Sequence, residues 1–398
     1  MAACFERVLT DAWESYCRDD YEVTSDNFPG YEGPRWRIRK FTLKGGKQQG
    51  VELVELDNGE MTVVVVPTRG MGILEAFTDD VSLGWSSPVR QVVHPAFVQP
   101  ELRGGLGWLS GFNEFVCRCG LAYNGAPGED VIRTNTGAEA RTNLPLHGSI
   151  ANTPAARVSV RVQTEPPYEL SVCGEVRDAC MFGPAFEMST VVSTRPGSRE
   201  FAVRDAVTNA SSMPAEMELL YHCNYGPPIL GEGSQILAPV EFVCPRDGRA
   251  AEGMTTWNSY GSPEAGFAEQ CYFLRLHGDR DGRTVVGLTS PDQESAASIR
   301  FSVAELPAFT IWRNSAAERD GYVTGLEPGT DYPNNRMFER SKGRVIELPP
   351  EARYETALAF GLLQGDAEVS ALRAEVERIS EGKQMEVRDD PDPEYCPA

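Results

Sequence analysis

Residues 157–209 read RVSVRVQTEPPYELSVCGEVRDACMFGPAFEMSTVVSTRPGSREFAVRDAVTN, and their pattern decides the fold. Val158, Val160 and Val162 alternate with Ser159 and Arg161, the period of two that a half-buried strand imposes on its side chains. Three more strand-length runs follow at 169–176, 186–194 and 200–208, with Arg195-Pro196-Gly197 as turn chemistry between the last two. No amphipathic helix separates them, so successive strands pair as hairpins and the sheet is antiparallel. Outward from this stretch the pattern continues at Val63–Val66 (closed by Pro67), 216–222, 272–276, 284–289, 298–303 and 354–363. Asp57-Asn58-Gly59, the 278–282 segment and Pro349-Pro350 punctuate it. The expected class is all-β, a large antiparallel β-sandwich with a few peripheral helices.

Helix signals lie near the ends. Val369, Leu372, Val376 and Ile379 recur at helical spacing after Asp366, a candidate cap, and predict an amphipathic helix over 366–382 docked on the sandwich. Residues 383–398 are acidic and proline-containing and predict a loose tail. Residues 85–154 are rich in glycine and aromatics with few alternating runs. They predict long loops over one end of a sheet, where binding residues commonly sit. No repeat, heptad or linker divides the chain. The expected organisation is an N-terminal helical or extended segment over 1–45, one β-domain over 46–365, then helix and tail.

The 398 residues are 41% hydrophobic and carry a net charge of −21. That apolar fraction supports a large core and excludes wholesale disorder. The acidic balance argues against nucleic acid, whose binding rests on Lys/Arg neutralising phosphates, and against anionic membrane surfaces. The N-terminal MAACFERVLTDAWESYCRDD lacks the basic start and apolar stretch of a secretory signal, and the longest apolar run, 61–67, is strand-length. Ten cysteines are scattered; Cys117 and Cys119 form the one close pair, without a second pair at zinc-site spacing. Reduced thiols on one strand face are the plainer reading, and the expectation is a cytoplasmic protein without a metal.

Only four histidines occur, at 94, 147, 222 and 277. Three segments set a rare ionisable residue among Gly, Asn, Pro and aromatics where a strand runs out: Leu144–Gly148 with His147, Glu218–Gly226 with His222, and Gly325–Arg336 with Glu327. Groups at strand ends converge on one cleft although far apart in sequence. The bland readings are a core histidine satisfied by a carbonyl for His222, a turn marker for His147, and a solvated turn residue for Glu327. Asn224 and Gly226 add polar donors and space beside His222. His94 and His277 sit in generic contexts.

Together these segments resemble the aldose 1-epimerase (galactose mutarotase) superfamily, in its divergent bacterial branch. The resemblance rests on Leu146-His147-Gly148, on Tyr221-His222-Cys223-Asn224-Tyr225 and on Leu326-Glu327-Pro328. Val207-Thr208-Asn209, Arg69-Gly70-Met71-Gly72, Gly111-Phe112 with Cys119-Gly120-Leu121, and Ile311-Trp312-Arg313 extend it over most of residues 50–365. It implies a supersandwich fold and a cofactor-free sugar isomerase acting on an aldose. The Asn-His pair of the true mutarotases is replaced by Tyr221-His222, and the segment holding the family's sugar-contacting arginine has no counterpart. Arg118 is the candidate substitute, and Asp247 the candidate for the aspartate that grips sugar hydroxyls. Asn224, Trp312 and Asn335 complete the expected substrate-binding set, Trp312 by stacking on an apolar sugar face.

Interconverting anomers needs a base at the anomeric hydroxyl and an acid at the ring oxygen, with the roles reversed on closure. The expectation assigns Glu327 as base, His222 as acid and His147 as a hydrogen-bonding stabiliser of developing charge. Alternatives are a non-catalytic sugar-binding protein, another sugar isomerase or a lyase on the same fold, and a metal enzyme built on the three groups. Glycoside hydrolysis usually wants two flanking carboxylates, and one is evident. The absence of a Lys/Arg cluster in these segments favours an uncharged sugar over a sugar phosphate. Oligomeric state is left open, a homo-oligomer included.

Overall fold

The alternation over 157–209 becomes four antiparallel strands, Arg157–Gln163, Leu170–Ala179, Ala185–Thr194 and Glu200–Asn209, adjacent in the order of the sequence. The register aligns Val160, Val172, Val192, Val203 and Leu358 in one row across five strands, and all five are buried. Each such side chain contributes roughly 1.5–3 kcal/mol on leaving water, so a one-residue slip that turned the row outward would be prohibitive. The computed structural model describes residues 4–397, in which this row belongs to a ten-stranded sheet packed on a fourteen-stranded one, with a separate two-stranded hairpin, Gly128–Arg133 with Glu139–Leu144. The protein is therefore an all-β sandwich, as its alternation implies.

The second sheet carries the polar segments. Its strands Val240–Pro245, Gln270–Leu276, Ala308–Asn314, Val323–Gly329, Ala215–Tyr225 and Val116–Leu121 lie side by side in that spatial order. In the 215–225 strand Tyr221 pairs with Arg118 and His222 with Cys117, so the two consecutive residues face opposite sides of the sheet. Tyr221 faces inward, with Arg118. The Arg118 guanidinium bridges to Asp205 of the opposing sheet through Nε–Oδ2 (2.5 Å) and Nη2–Oδ1 (2.9 Å), and also donates to Met71 O and Thr190 Oγ1. The Tyr221 hydroxyl donates to Asp205 Oδ2 at 2.7 Å. Burial disfavours the guanidinium charge, but Asp205, with Tyr221 and Cys117 adding to it, more than restores it, and the Arg118 pKa is raised.

Elsewhere one expectation is narrowed and two shift. The N-terminal segment takes the extended alternative, with no α-helix among its described residues: Cys4–Asp11 pairs with 157–163 in the ten-stranded sheet, while Tyr21–Thr24 and Arg37–Thr42 extend the other. The C-terminal helix forms over Asp366–Ser380, but Gly365 occupies the cap position and Asp366 lies in the first turn, where the helix dipole favours it. The acidic tail is docked rather than loose. Glu386–Val387 pairs in parallel with Phe242 and Val243, Tyr395 stacks on Phe242, and Cys396 is buried. Residues 85–154 are largely loops and short turns, as expected, yet contain the 116–121 strand. No helix among the described residues is long and apolar enough to cross a membrane.

The inter-sheet ion pair makes a testable demand. Asp205→Ala leaves Arg118 buried without a counter-charge and should cost about 3–5 kcal/mol, read from urea denaturation. A shape-preserving double change, Arg118→Met with Asp205→Leu, should recover most of that loss.

Candidate active site

The outer face of the second sheet assembles the site by strand alternation. Leu220, His222 and Asn224 share that face; Gly325 of the neighbouring strand lies opposite Asn224, and Glu327 follows two residues on. A Cβ at Gly325 would stand 2.2 Å from Glu327 Oε1 and 3.2 Å from His222 Cε1. Only glycine leaves room there for the two functional groups to meet. They do so at 3.1 Å, His222 Nε2 to Glu327 Oε1, off the hydrogen-bond axis, so that this carboxyl oxygen has no aligned donor from the protein.

The tautomer of His222 follows from its support. Asn224 Nδ2 donates to Glu114 O and to His222 O, both at 3.0 Å, which orients the amide so that its Oδ1 faces the ring. That oxygen accepts from His222 Nδ1 at 2.7 Å, leaving Nε2 as the bare nitrogen of a neutral imidazole. Burial and the adjacent His147 push the His222 pKa well down. Burial, then Glu269, push Glu327 well up, against the opposing pull of Arg246. Both shifts favour the neutral forms, a protonated carboxyl at Glu327 and an unprotonated Nε2 at His222.

His147 joins from the loop after the 128–144 hairpin. Its backbone is left-handed (φ 61°), and Gly148 follows at φ 71° where a Cβ would meet Gly120 O at 2.3 Å and Tyr123 O at 2.4 Å. The Leu-His-Gly motif is thus a requirement of the backbone as well as of chemistry. His147 Nδ1 donates to Asn124 O at 2.7 Å, and burial lowers its pKa to about 4. Its ring centroid lies 5.5 Å from that of His222. Trp108 packs on His147 (4.7 Å), and Phe112 (4.9 Å) and Trp312 (5.2 Å) on His222, giving the two imidazoles an aromatic wall. His222 is 5% exposed and Glu327 2%.

A polar rim borders this wall. Arg246 donates to Asp247 Oδ2 (2.9 Å) and Glu269 Oε1 (3.0 Å), and Trp312 Nε1 donates to Glu269 Oε2 (2.8 Å). The structure therefore brings together His147, His222, Glu327 and Trp312, with Asp247 at the rim, where Oδ1 also caps the short Gly248–Ala251 helix. Three expectations are corrected. Arg118 lies on the inner face of the sheet and is held by Asp205, so it does not reach the cleft. Asn224 is not a free sugar contact, because every one of its hydrogen bonds described above serves to hold His222. Asn335 caps the Arg336–Ser341 helix through Met337 N (3.0 Å), shares none of the contacts of the acid–base groups, and lies beside Gly128 instead. The bland reading of Glu327 as a solvated turn residue also fails, since it is buried within a strand.

Sequence reasoning missed Arg246, Glu269 and the Phe112–Trp108 wall. Arg246 abuts Asp247 at a strand end, a usable signal; Glu269 precedes a strand with no distinguishing pattern. A cavity of about 380 Å³ opens beside Trp85, lined by Glu75, Ser86, Arg90 and Asn113 among others. It contains none of His147, His222 and Glu327, and its volume alone does not make it the functional site. Among the described residues no three His, Cys, Asp or Glu side chains converge as metal ligands.

The two-sheet architecture and the clustered His, His and Glu define a galactose mutarotase-like β-sandwich. The chain belongs to the family described as Domain of unknown function (DUF4432), whose model matches residues 48–362, and to the aldose 1-epimerase (galactose mutarotase)-like superfamily. Its structure is similar to that of a "putative aldose 1-epimerase" from Klebsiella pneumoniae subsp. pneumoniae MGH 78578, with 33% identity over 98% of this chain and 99% of that one and a TM-score of 0.92. A galactose mutarotase-like protein from Clostridium acetobutylicum shares the fold at 14% identity, covering 82% of this chain and 98% of that one, with a TM-score of 0.57. So does a galactose 1-epimerase from Lactobacillus acidophilus NCFM, at 11% identity, 82% and 99% coverage and a TM-score of 0.50. No curated protein matches the chain.

The low pKa of His147 has a signed consequence. Between its folded value of about 4 and the ordinary histidine value of 6.5, the unfolded chain binds a proton that the folded chain refuses. Stability therefore rises with pH across that window and is lost as pH falls through it. The shift corresponds to about 3 kcal/mol. His147→Asn should flatten this part of the stability–pH curve measured by urea denaturation, while a wild-type His147 resonance that titrates near 6.5 in NMR would contradict the buried neutral ring.

Proposed function

We propose that the protein is an aldose 1-epimerase that interconverts the anomers of an uncharged sugar by acid–base catalysis, with no cofactor. The observation that carries this reading is the contact of His222 Nε2 with Glu327 Oε1 at 3.1 Å in a buried site that favours the neutral form of each, so that we assign one proton to the pair. Once bound substrate brings the two groups onto a hydrogen-bond axis, transfer of that proton from Glu327 to His222 creates a carboxylate base and an imidazolium acid without exchange with solvent. The base then takes the anomeric hydroxyl proton while the acid protonates the ring oxygen, opening the ring; rotation and closure on the other face reverse both roles. His147, neutral and with Nε2 free of the Asn124 bond, accepts a hydrogen bond from a neighbouring sugar hydroxyl.

The rim supports a neutral substrate. Arg246 is matched by both Asp247 and Glu269, so the rim carries excess negative charge that repels a phosphate while offering acceptors to hydroxyls. Trp312 and Phe112 supply the apolar surface on which one face of a sugar ring stacks. The name carried by the Klebsiella relative agrees with this reading.

The test is accelerated anomer exchange over a panel of free aldoses, followed by optical rotation or exchange NMR. Glu327→Gln should lower the catalysed rate by roughly 10²–10⁴-fold while sugar binding stays within a few-fold, as should His222→Gln. An active Glu327→Gln enzyme overturns the assignment of the base. A wild-type protein that accelerates no aldose overturns the reaction.

A further inference from the structure

Two fully buried carboxyl groups stand behind His147 and take no part in the proposed chemistry. Glu218 and Asp331 are 0% and 1% exposed, and Asn124 between them is 0% exposed. Glu218 Oε2 accepts from the Asn124 backbone N–H at 3.0 Å. Asp331 Oδ1 accepts from Asn124 Nδ2 at 2.6 Å and from Thr330 Oγ1 at 3.1 Å. Asn124 is thereby gripped by its main chain and its side chain at once, and its carbonyl is the one that receives His147 Nδ1–H.

One oxygen on each acid is left over. Glu218 Oε1 and Asp331 Oδ2 are buried with no donor from the protein, on two acids that both hold the one residue Asn124. Two ionised carboxylates in this position would leave both oxygens unpaired and repelling one another, a costly arrangement away from water. A single proton held by the two acids removes that repulsion. No basic side chain substitutes for it: Arg336 is engaged by Asp130, and Arg344 by Glu339, the third acid of the region. The Tyr354 hydroxyl donates to Glu305 O, and burial holds it protonated up to about 12.

We propose that Glu218 and Asp331 share one proton as an acid pair, and that this pair is a positioning device: it fixes Asn124 and, through the Asn124 carbonyl, the Nδ1–H tautomer and placement of His147. Burial raises the pKa of both acids, with Glu339 adding to the effect. The sign follows. The folded chain retains a proton that the unfolded chain releases in the ordinary carboxylate range, so the pair's contribution is present at low pH and is lost as pH rises through its folded pKa. Loss of the proton sets two like charges against each other and loosens the Asn124 grip.

The experiment uses the full chain with ¹⁵N-labelled histidine in wild type, E218Q and D331N, across a pH series from weakly acidic to alkaline. In E218Q the amide NH₂ supplies a permanent donor to Asp331 while its oxygen still accepts from Asn124, so shape and hydrogen bonds are kept and the titrating proton is gone. In wild type the His147 Nδ1–H signal should weaken, and urea stability fall, as the pair deprotonates; in E218Q and D331N neither change should occur at that step. The effect on turnover rests on the epimerase reading: wild-type kcat/KM should fall roughly ten- to hundredfold on the alkaline side, and E218Q should remove that limb. The His147 signal and the stability curve are read without substrate, so they stand even if no aldose is turned over. The same alkaline loss in E218Q as in wild type, or a wild-type His147 signal indifferent to pH, would overturn the proposal.

Discussion

The ion pair of Arg118 with Asp205 is the constraint from which the site follows. It ties the two sheets together at one point, and because it also takes the Tyr221 hydroxyl, it sets which side of the 215–225 strand faces inward. Strand alternation does the rest. With Tyr221 turned in, His222 must turn out, together with Leu220 and Asn224, and the register brings Gly325 and Glu327 beside it. A buried charge pair contributes little net stability compared with apolar side chains of equal volume. Its importance here is to register: a slip of the 215–225 strand by one residue would turn the Tyr221 hydroxyl away from Asp205 and put the histidine in the core.

The outer face is electrostatically unusual for an acidic protein. Its key groups are held neutral by burial, not by counter-charges: His147 and His222 are pushed down and Glu327 up, each with burial as the largest cause. The nearby cation, Arg246, has two carboxylate partners of its own and only softens the effect on Glu327. A neutral pair with one mobile proton needs no reorganisation of ions when a polar but uncharged ligand arrives, and water exclusion by Trp108, Phe112 and Trp312 strengthens every dipole that remains.

Much of this was legible in the sequence, and the limits were physical. Period-two runs revealed the strands because burial of one face leaves its imprint on every second residue; the row from Val160 to Leu358 is that imprint. The triad of His147, His222 and Glu327 was legible because each sits where rare ionisable residues meet glycines that the backbone needs, as at Gly148 and Gly325. Arg118 was misread because parity along one strand does not reveal which side is inward: that depends on Asp205, 87 residues away. Arg246 and Glu269 meet only because the 240–245 and 270–276 strands pair, a register that no local pattern encodes. The docking of the tail rests on a two-residue strand at 386–387 and on Tyr395 and Cys396, too short a pattern to show through an acidic composition.

The same division explains how the fold persists among chains only 11–14% identical to this one. Alternation and a filled inter-sheet layer tolerate many sequences, since any β-branched or aromatic residue of fitting volume serves an inward position. The outward positions obey stricter rules, because a carboxyl, two imidazoles and their supports must meet within about half an ångström of a working geometry. Asn224 illustrates the point: its amide contributes nothing to the core, yet it alone decides which nitrogen of His222 is bare. A sandwich of this kind therefore declares its class through the inner face and its chemistry through the outer one, and fold likeness without the outer residues would carry no reaction with it.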